Sequence, residues 1–167
     1  MSTGCSQKFV RNIGALFFVT ALMLPAQGVV LQKNLSLDLA RTIAEATLSA
    51  CKAKGFHTTV AVVDRTGTLM VLLRDEQAGP HTTEMARRKA YTARMFRMST
   101  MDFTKRSEPG QPYAAQRDLP DVLALAGGVP IQAGEETIGA VASSGSSLEN
   151  DDACAKAGVA KVADLLK

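Results

Sequence analysis

The sequence predicts an α+β domain, an antiparallel sheet with helices packed on it. Three observations carry that prediction. An amphipathic stretch at 35–54 precedes two β-rich runs at 58–75 that flank a turn sequence. A strongly helical segment inside 79–101 separates them from further apolar runs at 122–143, and a last helical pattern covers 149–166. The order is helix, hairpin, helix, two or three strands, helix, which suits an antiparallel sheet with helices packed on it.

Before these elements stands a stretch with the pattern of a secretory leader. Lys8 and Arg11 supply a positive start, residues 13–24 (IGALFFVTALML) an apolar core, and Pro25 a break before Ala26-Gln27-Gly28. Twelve apolar residues are too few for a bilayer span, which takes about 20. Residues 1–28 are therefore expected to be a signal peptide and 29–167 a single domain, placing the protein in the periplasm or outside the cell. No membrane contact is expected after cleavage. The 167-residue chain carries a net charge of +3; residues 1–28 hold two basic and no acidic residues, so their removal leaves +1. Near-neutral charge argues against nucleic acid as a partner. Of three cysteines, Cys5 falls in the leader and Cys51 and Cys154 remain. An even pair in an oxidising compartment suggests a disulfide, with two buried thiols as the alternative. Neither CxxC nor CxxCH occurs.

The elements follow in order. In 35–54, Ser36 is a good N-cap, Leu39, Ile43, Ala46 and Ala50 mark the expected buried stripe, and Gly55 is the stop. Asp64-Arg65-Thr66-Gly67 has hairpin-turn chemistry. His57, at the entry of the first strand, reads as solvated. The second strand ends in Arg74-Asp75-Glu76, just before Gly79-Pro80-His81. The next helix can be capped by the threonines after His81, with Glu84 in its first turn. At 100° per residue Met85, Ala86, Lys89, Ala90, Ala93 and Phe96 share one arc. That face is small and smooth but carries a lysine at its centre, and a buried lysine needs a partner.

Residues 99–121 hold three prolines and read as a loop with a short helical turn near 99–106. Residues 122–131 form an apolar run broken at Gly127-Gly128, where backbone can approach another group closely. A turn at Glu135-Glu136 precedes a buried strand at 137–143. Ser144–Ser147 leads into the last helix, whose Glu149, Asp151 and Asp152 complement the helix dipole, with a metal cluster as the alternative.

Taken together, VVDRTGTLMVLLRD, ARRKAYTARMF, GGVPI and IGAVASSGSSLENDD resemble the GlcG/HbpS family of haem-binding and haem-degrading domains. The resemblance runs from about Leu35 to Leu166. It implies a profilin-like fold with an about five-stranded antiparallel sheet flanked by helices, and a homo-oligomer. It also implies haem as the cofactor. The family's Arg-x-Asp-Gly-Ala pattern is only partly kept: Arg74-Asp75 is followed by Glu-Gln-Ala-Gly-Pro-His.

On that basis His81 is the candidate axial ligand of haem iron, imidazole being a standard proximal ligand; an exposed loop histidine is the alternative. Met85 and Met98 are nearby thioethers that read more simply as packing. Arg74, Arg87 and Arg88 are candidates for the propionates, against a solvated helix face. Lys89 either locks onto Asp64 or Asp75 or faces a ligand carboxylate, and Gly127 and Gly128 would let backbone approach the ligand. No Gly-x-Ser-x-Gly, HExxH or phosphate loop is present. Ser144 reads as turn and cap. Three functions remain: an exported haem-binding protein for sequestration, transport or sensing; an enzyme degrading haem or acting on a small carboxylated ligand in the same pocket; and a non-catalytic assembly subunit.

Overall fold

The structure, a computed structural model, describes Met1 and residues 28–167. The expected leader falls almost wholly outside the described residues. The chain divides into units 1–31 and 32–167, and the second holds every element discussed below.

Among the described residues four α-helices and four strands follow one another as α1 (Leu37–Lys52), β1 (Thr59–Val63), β2 (Leu69–Arg74), α2 (Thr82–Phe96), α3 (Thr100–Arg106), β3 (Gly128–Ala133), β4 (Glu136–Ser144) and α4 (Leu148–Ala160). Short 3₁₀ turns occupy Ala114–Asp118 and Ala163–Leu165. The sheet runs β2-β1-β4-β3, every neighbour antiparallel. The α+β architecture is as the sequence predicts, but among the described residues the sheet has four strands rather than about five. The apolar run at 122–126 forms no strand because its polar backbone is satisfied by α2: Leu123 N–H donates to Thr92 Oγ1 at 2.9 Å, and Arg88 donates to the Val122 carbonyl at 2.6 Å.

Alternation along β1 and β4 sorts the core into two layers. Val60, Val62 and Val141 face Ile43, Ala44 and Ala155 of α1 and α4. Ala61, Val63, Ala140 and Ala142 face Ala86, Ala90 and Ala93 of α2. The first layer carries the large side chains, each fully buried valine or isoleucine contributing about 1.5–3 kcal/mol. The second is alanine on alanine apart from Val63, so α2 lies very close to the sheet. Gly128 makes that approach possible: a Cβ there would meet the Lys89 carbonyl oxygen at 2.5 Å.

Two details of the helices differ from expectation. The buried stripe of α1 is Ala40, Ile43, Ala44, Thr47 and Cys51, turned slightly from the expected one because α4 as well as the sheet covers this helix. At the start of α2 the threonines do not cap. His81 holds the cap position without a side-chain hydrogen bond, while Thr82 Oγ1 donates to the Gly79 carbonyl and meets Thr59 Oγ1 at 2.7 Å, tying the helix start to β1. Ser36, by contrast, caps α1 through Leu39 N–H. Cys51 of α1 and Cys154 of α4 form a disulfide, with Cα atoms 5.4 Å apart. Among the described residues no helix is long and apolar enough to cross a membrane.

Candidate functional site

A cleft of about 230 Å³ opens where the start of α2 meets the β4–α4 connection, lined by Gly79, His81, Thr82, Met85, Lys89, Ser144–Ser146, Leu148 and Asp151. Its floor is an ion pair. Lys89, on the small face of α2, is fully buried, and its Nζ lies 2.9 Å from Asp151 Oδ2 and 3.1 Å from the Ser143 carbonyl oxygen. Asp151 Oδ1 accepts from Ser146 N–H at 3.1 Å and Ser146 Oγ at 2.8 Å. Ser143 Oγ lies 3.4 Å from both Asp151 Oδ1 and Cys51 Sγ, so the disulfide abuts this network. Gly127, at φ +125°, closes it from behind: a Cβ there would come within 3.0 Å of Lys89 Nζ and 2.9 Å of Asp151 Cβ.

The lock expected at Lys89 therefore exists with a different acid. Asp64 instead organises the hairpin, accepting from Thr66 N–H at 2.7 Å and Thr68 N–H at 3.0 Å. Asp75 is buried beneath His57, whose Nδ1 lies 2.8 Å away, with Lys52 at 3.5 Å. His57 is thus a partner of Asp75 rather than a free solvated ring. Asp151 escaped the sequence reading because it lies 62 residues from Lys89 and its place in the first turn of α4 already explained it. Asp152, beside it, pairs with Lys156 at 2.7 Å. Among the described residues no group of three His, Cys, Asp or Glu side chains is placed to hold a metal ion.

An ammonium has three N–H donors. Asp151 and Ser143 take two from Lys89, and the third has no partner among the described residues although Lys89 lines the cleft. Burial pushes the Lys89 pKa below the ordinary lysine value, with Asp151 opposing the shift.

His81 stands exposed at the mouth, and its ring has no hydrogen-bond partner among the described residues. It folds back over Gly79, where a Cβ would lie 2.6 Å from His81 Cε1. The three arginines do not line this cleft. Arg74 donates twice to the Ala78 carbonyl and pins the loop ahead of α2. Arg87 pairs with Glu84 at 2.7 Å and Asp121 at 2.5 Å, which hold its guanidinium firmly charged. Arg88 serves the 122–126 segment. Each answers a carbonyl or carboxylate of its own surroundings, a role that spacing alone does not reveal.

A second cleft of about 280 Å³, lined by Met101, Thr104, Lys105, Ala126, Leu148 and Glu149, lies against the first, with Leu148 as a wall common to both.

A family model described as "Haem degrading protein HbpS-like" matches residues 35–160. A double mutant of HbpS from Streptomyces reticuli has a similar structure, 34% identical, covering 86% of this chain and 98% of that one, with a TM-score of 0.76. The PduOC:heme complex is similar at 25% identity and a TM-score of 0.72, covering 77% of this chain and 94% of that one. An uncharacterized 15.0 kDa protein of the dhaT-dhaS intergenic region of Citrobacter freundii is 28% identical over 120 residues, 71% of this chain and 84% of that protein.

Proposed function

Because the chain belongs to the HbpS-like haem-degrading family, we propose that it is an exported haem-binding protein acting in haem or iron sequestration, transport or sensing. The observation that carries the reading is His81, an unpartnered imidazole at the mouth of a cleft. A neutral imidazole is the side chain best suited to take haem iron, and Met85 in the same cleft offers a thioether. The haem complex of a relative supports the ligand class.

Size decides how haem would sit. A single cleft of about 230 Å³ falls short of the ~300–1,000 Å³ typical of ligand sites. Joined past Leu148 to its neighbour of about 280 Å³, the site comes within that range. His81 would then hold the haem iron, with Lys105 available to a propionate. The arginines Arg74, Arg87 and Arg88 would support loops rather than touch the ligand, and Gly127 and Gly128 would set the depth of the floor. The profilin-like class, a homo-oligomer and export belong to the same proposal. Export is supported by the leader pattern of residues 1–28 and by a disulfide that suits an oxidising compartment.

The test is a haem titration of the full-length protein, followed by absorbance. A saturable Soret shift supports binding; a shift no larger than that of an unrelated control protein refutes it. Protein-dependent bleaching of the bound haem under reductant would move the reading to degradation. The small volume of the first cleft and the spare Lys89 donor favour a second reading, a small carboxylated ligand on the same floor.

A further inference from the structure

We propose that Lys89 forms a reversible imine with small aldehydes that enter the 230 Å³ cleft, an activity separate from haem binding. Several observations converge on this amine. It is buried yet forms part of the wall of an open cleft, and one of its donors faces no protein acceptor among the described residues. A carboxylate lies 2.9 Å from it, close enough to exchange protons directly. Asp151 is itself held by Ser146 on its other oxygen, so it stays in place when its proton moves. Met85 and Leu148 give the cleft an apolar side against which a short alkyl chain can lie, while Thr82, the first residue of the helix that carries the amine, lies on the wall. A lysine in such surroundings ionises less readily than one in water, which raises the fraction of free amine at neutral pH.

The chemistry balances without any oxidant or reductant. Lys89 passes one proton to Asp151, and the nitrogen lone pair attacks the carbonyl carbon while the C=O π pair moves to oxygen. Asp151 returns the proton to that oxygen and then takes a second from nitrogen. Delivering the second to the hydroxyl releases water as C=N forms. The net change is aldehyde plus ammonium to protonated imine plus water, with Asp151 again a carboxylate. The volume of the cleft, about 230 Å³, restricts the partner to a small aldehyde.

The experiment is reductive trapping of the full-length protein at neutral pH with acetaldehyde and cyanoborohydride, with alkylation of each lysine followed over time by peptide mass spectrometry. The expected result is alkylation of Lys89 at least tenfold faster than of the exposed Lys52, Lys156 and Lys167. A buried lysine that is only structural reacts more slowly than these, and that order would overturn the proposal. Leu148→Trp, at a partly exposed site on the cleft wall, supplies the second readout without touching the ion pair. It should slow trapping at Lys89 alone. Unchanged trapping at Lys89 would show that the aldehyde does not arrive through the cleft and would overturn the proposal as well. Neither readout depends on haem, so the result stands apart from the haem titration.

Discussion

Lys89 on α2 and Asp151 on α4 join the two helical layers across the end of the sheet, with 2.9 Å between Nζ and Oδ2 and both side chains almost wholly buried. Removing one partner strands the other charge in the interior. Lys89→Met is expected to cost about 3–5 kcal/mol, read as a lower urea midpoint. Adding Asp151→Asn should restore most of the loss, because the pair as a whole is nearly neutral to stability once neither charge remains. A single variant as stable as the parent would contradict this account of the pair.

A second buried carboxylate makes stability sensitive to acid. Asp75 is held below the ordinary aspartate value, first by the Gln77 backbone N–H and then by His57 and Lys52. Its folded-state pKa being depressed, the unfolded chain binds the proton more readily. The stabilisation is therefore fully present above the unfolded value of 3.8 and fades as pH falls through the folded one. Urea midpoints measured across that interval should fall less steeply for Asp75→Asn than for the parent. Parallel curves would remove Asp75 from the explanation.

The Cys51–Cys154 disulfide closes a loop of 103 residues. In the chain-entropy description its loss costs about 4–5 kcal/mol. Comparing urea unfolding of the parent with a Cys51→Ser, Cys154→Ser double variant should show a loss of that order. A difference below about 1 kcal/mol would mean that the packing of α1 on α4 carries the contact unaided.

Local signals made much of this fold legible. Ser36 caps α1, Gly67 turns the hairpin at φ +85°, and the Ala86–Ala90–Ala93 face of α2 lies on the sheet as its periodicity predicts. The short helix at 100–106 also follows from its sequence. What sequence could not show was long-range pairing. The need of Lys89 for a carboxylate was evident, but the choice of Asp151 over Asp64 and Asp75 follows only from where α4 starts. The run at 122–126 is apolar enough for a strand, and only the Thr92 and Arg88 side chains explain why it is not one. Similarly, the arginines face carbonyls and carboxylates that no spacing rule reveals, and Leu148 became visible only as the wall between two clefts.

The most direct test of the haem reading is the Soret titration of the parent beside His81→Ala. His81 is exposed and its ring holds no hydrogen bond among the described residues, so the substitution should leave stability within about 0.5 kcal/mol. If His81 takes the iron, the variant loses the saturable Soret shift or binds at least about tenfold more weakly, about 1.4 kcal/mol. An identical shift with unchanged affinity would place the iron on another residue and contradict the assignment of His81 as its ligand.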